Sequence, residues 1–129
     1  TDEDTLKNTK ESLIFGSYDI INTLGKDWAD DYIKRRAKKQ IYAKAILPGT
    51  DPMVSGFISR DQEQRRSTKT IDPKKYPFSI EINIYGHQKI ALISAKEETA
   101  LIIEGAEIHK TMRLMFELIW NLLPEIKIK

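Results

Sequence analysis

Apolar and polar positions alternate in short runs along this chain, and each run predicts a β-strand. Residues 11–17 (ESLIFGS) form an apolar run closed by a glycine and a serine, which is typical of a buried strand. Residues 41–48 (IYAKAILP) and residues 66–71 (RSTKTI) also alternate in the manner of strands. The first half of the chain is therefore predicted to contribute three strands.

Three further strands are predicted to follow one another closely in the second half. They cover residues 78–85, 89–94 and 99–104, and the links between them are only GHQ and AKEE. A proline-containing loop, residues 72–77, precedes them. Because such short links suit hairpins, we expect an antiparallel meander.

A first helix is predicted between the first two strands, because one apolar stripe there has helical spacing. It contains Ile20, Leu24, Trp28, Tyr32, Ala29, Ile33 and Ala37. Gly25 predicts a break in this helix. A strand-helix-strand unit normally places its two strands in parallel with a right-handed crossover. Beyond the second strand, residues 48–52 are predicted to be a loop, and residues 53–64 are compatible with a short helix or an ordered loop.

A second helix is predicted over residues 106–123, where Pro124 stops it. Its apolar residues surround most of the axis: Ile108, Met112, Met115, Ile119 and Leu122 in 4-3-4-3 spacing, with Leu114, Phe116, Leu118, Trp120 and Leu123 between them. Only Arg113, Glu117 and Asn121 form a clear polar row. We expect cover on both sides, by the sheet and by either a partner subunit or a second layer of the same domain.

Length and composition restrict the class of protein. A chain of 129 residues with 40% apolar and 31% charged residues fits one soluble globular domain. Residues 1–10 are predicted to be a linker or tail and residues 11–129 the domain. The absence of cysteine excludes disulfides, thiolate zinc sites and a cysteine nucleophile, and favours a cytoplasmic protein. Thr1 in place of Met suggests a processed or excised chain, and no apolar run is long enough to span a membrane.

The net charge is only +2, but two stretches are basic. The first contains Lys34, Arg35, Arg36, Lys38, Lys39 and Lys44; the second contains Arg60, Arg65, Arg66, Lys69, Lys74 and Lys75. Such clusters bind phosphate or nucleic acid in some proteins and are solvated helix ends in others. We favour solvated helix ends, because no aromatic residues are interleaved for stacking on bases.

The order of these elements resembles the C-terminal effector domain of TrmB-type transcriptional regulators. The resemblance covers residues 11–123 and rests on three segments, "YIKRRAKKQI", "IEINIYGHQKIALIS" and "ALIIEGAEIHKTMRLMFELIW". It implies an α/β phospholipase D-like mixed sheet with flanking helices, a strand-helix-strand start, a strand meander and a C-terminal helix. In that family a winged helix and a dimerising coil precede this domain, and some members bind sugars. DNA contact is therefore expected only through a domain absent from this chain.

The resemblance also raises the possibility of an enzyme. Phospholipase D-type enzymes carry His-x-Lys, four residues and then Asp, and their histidine attacks phosphorus. His87 and Lys89 fit the first part, but Ser94 occupies the Asp position, and no Gly-Ser-x-Asn follows. His87 is also expected to lie in a hairpin turn. We therefore predict no enzymatic activity; the alternative is a dimeric phosphodiesterase or nuclease with one His-x-Lys motif per chain.

A small polar ligand is the most specific expectation for the domain. Glu81, Asn83 and Tyr85 share one strand face, and Glu81 and Glu104 are candidates to face one another. Arg66, Lys69 and Lys89 are expected nearby, which gives the candidate ligand-binding set Arg66, Glu81, Asn83, Tyr85, Lys89 and Glu104. Carboxylate, amide and phenol groups suit sugar hydroxyls, and the basic residues suit a sugar phosphate or, second, a nucleotide.

The same pattern also suits a polar sheet surface that binds nothing, so a purely structural interaction domain stays open. Two histidines without cysteine predict neither a cofactor nor a metal site, and His109 is expected to be a surface residue. The function predicted from the sequence is an inactive effector-sensing and dimerisation domain, a homodimer, of a transcriptional regulator.

Overall fold

A computed structural model of the chain describes residues 11–17, 34, 35, 38, 41–49 and 65–125. Within these residues it contains six strands and one complete helix. They are β1 (Glu11–Phe15), β2 (Tyr42–Pro48), β3 (Arg66–Ile71), β4 (Glu81–Tyr85), β5 (Lys89–Ser94), β6 (Thr99–Glu104) and α1 (Ala106–Leu122). Every predicted strand is present, and the C-terminal helix is confirmed.

The strands form one mixed sheet in the order β3-β2-β1-β4-β5-β6. β1, β2 and β3 run parallel, as the strand-helix-strand pattern predicts for β1 and β2. β4 joins β1 antiparallel, and β4, β5 and β6 form the predicted meander. The fold is therefore α/β, with a parallel half and an antiparallel half that meet between β1 and β4.

β4 is shorter than predicted, because it begins at residue 81 and not at residue 78. The backbone before it bonds locally: the Tyr76 N–H donates to the Asp72 carbonyl at 2.9 Å, and the Phe78 N–H donates to the Tyr76 carbonyl at 2.8 Å. Such turn bonds occupy donors that a strand would offer to its neighbour. Phe78 and Ile80 are consequently exposed although they are apolar.

The predicted helix between β1 and β2 lies mostly outside the described residues. Lys34, Arg35 and Lys38 are helical, in agreement with that prediction. Its apolar stripe, the break at Gly25, the tail over residues 1–10 and the two possibilities for residues 53–64 also lie outside the described residues.

The strands give the sheet two different faces, because successive side chains point to opposite sides. One face, here called the helix face, carries Leu13, Phe15, Ile46 and Ile84, which form the buried core together with Phe116 of α1. Phe116 meets Phe15 edge to face at a centroid distance of 5.1 Å and stacks with Trp120 at 5.8 Å. Met112, Ile119 and Leu123 extend this contact. The apolar side of α1 thus packs against the helix face of the sheet.

Lys69 holds the C-terminal end of α1. Its ammonium donates to the carbonyl oxygens of Trp120 at 2.8 Å and of Leu123 at 3.0 Å, and it lies 4.6 Å from the centre of the Trp120 ring. The last carbonyls of a helix lack partners within the helix and form its negative end. A lysine from β3 therefore does what a basic residue in the last turn does in other helices. The sequence interpretation of solvated basic residues is wrong for Lys69 and for Arg66, which are both buried.

Within the part of the chain that the structure describes, the outer side of α1 is exposed, and its expected cover by a partner subunit stays a prediction. The apolar residues that it exposes are Ile108, Leu114, Met115, Leu118 and Leu122, with exposed fractions from 49% to 77%. Leu101 and Ile102 of the edge strand β6 are exposed as well, at 53% and 44%. Among the described residues, no helix has the length and apolar character needed to cross a lipid bilayer.

Candidate functional site

The candidate ligand-binding residues all lie on the second face of the sheet, here called the polar face. Strand register decides this, since residues directly opposite one another point to the same side. Tyr85 pairs with Lys89, and Lys89 pairs with Glu104, so that these three side chains form a row across β4, β5 and β6. Glu81 and Asn83 share the face of Tyr85 at two-residue intervals. The prediction of a common face for Glu81, Asn83 and Tyr85 is confirmed.

Arg66 belongs to the far end of the same row. The register continues from Tyr85 through Ser12 and Ala43 to Arg66, which places Arg66 three strands away. At about 4.8 Å per strand, its backbone is about 14 Å from that of Tyr85. Lys69, three residues beyond Arg66, is on the helix face, so the expectation that both basic residues approach one place is wrong.

The register also excludes a direct approach of Glu81 and Glu104. β5 lies between their strands, and Glu81 is opposite Ile93 whereas Glu104 is opposite Lys89. The two carboxylates are therefore at opposite ends of the meander. Glu104 has the Lys89 side chain as its cross-strand neighbour, which favours pairing of opposite charges over joint binding of a hydroxyl.

Much of the polar face is packed and not open. Tyr85, Arg66 and Asn83 are exposed by only 1%, 4% and 8%. The Asn83 amide donates to the Glu81 carboxylate at 3.2 Å, but the buried Asn83 Oδ1 has no hydrogen-bond partner among the described residues. A buried acceptor without a donor lowers the stability of the fold. A ligand that donated a hydrogen bond to it would gain binding free energy.

His87 lies in the hairpin turn between β4 and β5, as predicted. Gly86 has φ 62°, a left-handed conformation that glycine adopts without strain, and His87 is exposed. Ser94, which stands at the Asp position of the phospholipase D pattern, accepts a hydrogen bond from the Glu97 N–H at 3.2 Å. Its hydroxyl stabilises the turn between β5 and β6.

A cleft of about 310 Å³ opens beside this turn, on the helix-face side of the sheet. It is lined by Glu11, Leu13, Ile84, Gly86, His87, His109 and Arg113. The sequence interpretation missed it and placed His109 on the surface, whereas His109 is half-buried. One signal was present: His109 and Arg113 are four residues apart and therefore share a helix face. Nothing local in the sequence indicates that the His87 turn meets this face.

The cleft brings three basic groups together. Burial lowers the pKa of His109 below its ordinary value of 6.5; the nearby charges of Arg113 and His87 lower it further, and a hydrogen bond to the Tyr85 backbone opposes these effects. Glu11 is the acidic group at the same cleft. Among the described residues, no three His, Cys, Asp or Glu side chains are grouped to hold a metal ion.

The fold is similar to that of a solved DNA-binding protein. The chain matches TrmBL2, an archaeal chromatin protein that shows a novel mode of DNA binding, with a TM-score of 0.65 and 16% sequence identity. The match covers 97% of this chain and 46% of TrmBL2, so the chain spans about half the length of that protein. No protein-family model and no curated protein matches the chain. At this identity the likeness shows a shared fold.

Proposed function

We propose that this chain is an effector-sensing and dimerisation domain of a TrmB-like DNA-binding regulator, and that it is catalytically inactive. The observation that carries the proposal is the extent of the structural likeness: nearly the whole chain corresponds to less than half of TrmBL2. In this proposal the unit acts on DNA through another part of its protein. A ligand that binds one dimer arrangement better than another would shift the population between them.

The exposed apolar surface supports dimerisation. The outer side of α1 carries Leu114, Met115, Leu118 and Leu122. Leu118 and Leu122 are the most exposed of these, at 62% and 77%. Leu101 adds an apolar side chain on β6, which is an edge strand among the described strands, and edge strands tend to pair with another chain. Exposed apolar patches mark interaction sites on many soluble proteins. A second copy of the chain would cover both elements.

Sedimentation of the chain with single substitutions on α1 tests the dimer. Leu118→Glu places a charge in the apolar surface, so we expect it to convert a dimer into a monomer without unfolding the domain. Asn121→Glu is the matched control, because it adds the same acid to the polar row of the same helix. A wild-type monomer at high micromolar concentration contradicts the proposal, as does an undiminished dimer of Leu118→Glu.

Two features support the absence of phosphodiesterase activity. Ser94 cannot orient an imidazolium by charge, and it is engaged in a turn. Lys89 is on the polar face by register, whereas His87 lines the cleft on the helix-face side. The two groups therefore do not converge as a His-Lys pair.

A chromogenic phosphodiester tests this inactivity directly. We expect no turnover of bis(4-nitrophenyl) phosphate by the wild-type chain. Turnover that disappears in His87→Ala would establish the alternative, a dimeric phospholipase D-type enzyme. Turnover that persists unchanged in His87→Ala would instead indicate a contaminating activity.

We further propose that the effector is a small polar molecule, with a sugar or sugar phosphate first and a nucleotide second. On the polar face, the half-buried Lys89 and the exposed Glu104 supply charged groups that suit this ligand class. Thermal shift with sugars and sugar phosphates measures it, since a ligand at about a hundred times its Kd stabilises by about 2.7 kcal/mol.

A further inference from the structure

The cleft beside the β4–β5 turn brings three basic side chains together. His87, His109 and Arg113 converge there from two elements, the turn and α1. Their proximity is unfavourable, as the effect of Arg113 and His87 on the pKa of His109 shows. Glu11 supplies a single carboxylate in return.

The walls of the cleft are held in place by backbone hydrogen bonds. The Gly105 N–H, just before α1, donates to the Gln88 carbonyl in the turn at 2.9 Å. The imidazole of His109 is hydrogen-bonded to the Tyr85 backbone at the end of β4. The turn with His87 and the first half of α1 are therefore fixed to one another. A ligand entering between them would meet donors that are already positioned, which reduces the entropy cost of binding.

The chemistry of the lining selects the kind of ligand. Arginine offers a planar set of N–H donors, and each imidazole offers a further donor, which suits the tetrahedral oxygens of a phosphoryl group. Leu13 and Ile84 form an apolar floor beside them. At about 310 Å³ the cleft is at the lower end of the range for small-molecule sites. The phosphoryl group of a ligand would contact the basic side chains, and the organic part of the same ligand would pack on Leu13 and Ile84.

We propose that this cleft binds the phosphoryl group of a small phosphate ester through His87, His109 and Arg113. The proposal rests on the proposed sensing function for its regulatory meaning, and its site is separate from the polar face, because the cleft lies on the helix-face side of the sheet. An anion there removes the mutual repulsion of the three basic groups. It also ties α1, whose outer side is the proposed dimer surface, to the turn at the end of β4.

Sulfate is the first probe, because its charge is constant between pH 5.5 and 8. In a titration followed by the imidazole resonances of the wild-type chain, we expect saturable shifts of both histidines and tighter binding at pH 5.5 than at pH 8. Bound sulfate should also raise the pKa of His109, since it favours the protonated form. Glucose 6-phosphate should bind more tightly than sulfate, and glucose should leave the histidine resonances unchanged.

Substitutions decide whether the cleft is the site. Arg113→Gln should weaken sulfate binding about tenfold or more, because it removes a charge-assisted contact. Lys110→Gln, which removes the same charge from an exposed position on the same helix, should change binding less than about twofold. Glu11→Gln should strengthen binding, because it removes the opposing charge.

Three outcomes would overturn the inference: no saturable histidine shift, equal weakening by Arg113→Gln and Lys110→Gln, or binding that is unaffected by pH. Circular dichroism of Arg113→Gln verifies that the variant is folded, and Glu11→Gln supplies an independent reading with the opposite sign. Sedimentation of the same samples separates this question from the proposed function. If the chain is a dimer that does not bind sulfate, the phosphate site is rejected and the dimerisation proposal is kept. If it is a monomer that binds sulfate, the dimerisation proposal is rejected and the phosphate site is kept.

Discussion

The two faces of the sheet are built from the same six strands and are nevertheless opposite in character. On the helix face, Leu13, Phe15, Ile46 and Ile84 meet Phe116, and the contact is apolar. On the polar face, Ser12, Asn83, Tyr85, Arg66 and Thr68 are equally inaccessible although each carries a polar group, and they lie among the buried apolar residues Ala43, Ala45, Leu47 and Ala91. The side chains are thus buried to a similar extent on both faces. On the polar face, however, buried polar groups need hydrogen-bond partners, which the apolar core does not.

The difference indicates which face provides stability and which provides specificity. Apolar burial contributes roughly 25 cal/mol per Å² without geometric demands. Buried polar groups contribute only when every donor and acceptor is matched, and the Asn83 Oδ1 is not. The helix face should therefore be sensitive to lost volume, and the polar face should tolerate, or profit from, replacement by apolar residues of similar shape. Substitutions on each face test this contrast.

Phe116→Ala should have the largest effect on stability. Phe116 is fully buried and contacts both Phe15 and Trp120, so the substitution leaves a cavity at the centre of the helix face. We expect a loss of about 3–5 kcal/mol in the free energy of unfolding, measured by urea denaturation. Glu117→Ala, one position away and exposed, should change it by less than about 0.5 kcal/mol. A loss below about 1 kcal/mol for Phe116→Ala would contradict the assignment of the core.

Lys69→Met tests a buried charged residue on which the helix face depends. The substitution keeps most of the side-chain stem but leaves the carbonyls of Trp120 and Leu123 without their donor, and removes the charge beside the indole ring. We expect a loss of about 1–3 kcal/mol. Lys74→Met, at an exposed loop position, is the control and should be nearly neutral. Equal effects of the two substitutions would show that Lys69 stabilises only through general charge.

The helix face could largely be predicted from the sequence, because a period of two in strands and 3.6 in helices determines which residues share a side. The strands, the parallel pairing of β1 and β2, the meander and α1 all follow from such local patterns. Lys69 illustrates the limit. Its interaction with Trp120 joins residues 51 positions apart, and only the packing of α1 onto β3 brings them together. Alternation cannot reveal a partner on another element.

The candidate site was less accessible to sequence reasoning for the same physical reason. That Glu81, Asn83 and Tyr85 share a face is a local property and is confirmed. The row from Arg66 to Glu104 depends on strand order, and β5 separates two carboxylates that are candidates for a pair on the basis of alternation alone. The cleft of His87 and His109 depends on the position at which α1 begins relative to the turn. Neither hairpin length nor helix spacing specifies that position.

Asn83→Leu should have a smaller effect, and of opposite sign, on the polar face. The substitution removes a buried acceptor that has no partner, at the expense of one hydrogen bond to Glu81. Replacement of an unsatisfied polar group by an apolar group of similar size is neutral or stabilising, so we expect a change between zero and about 1 kcal/mol towards greater stability. Urea denaturation measures it, with Ile84→Asn as the reverse change on the helix face and a loss as its expected result. Destabilisation by Asn83→Leu of more than about 2 kcal/mol would show that the polar face is held by its amide.

The contribution of His109 to the pH dependence of stability should be the smallest effect. It tests the edge of the helix face at which basic side chains replace apolar ones. Its folded-state pKa lies below the ordinary 6.5, chiefly through burial and then through Arg113 and His87. The unfolded chain therefore binds a proton more readily, and stability falls as the pH decreases from neutral through 6.5 towards the folded-state pKa. His109→Gln should remove this part of the acid destabilisation, so the difference in unfolding free energy between pH 7.5 and 5.5 should be smaller in the variant than in the wild type. Carboxylates titrate alike in both chains and cancel in the comparison.

His87→Gln should reduce the effect without abolishing it, because it removes only the weakest of the three causes that lower the pKa of His109. If the wild type instead gains stability on acidification relative to His109→Gln, the imidazole is stabilised by its Tyr85 hydrogen bond more than it is opposed by burial and its basic neighbours.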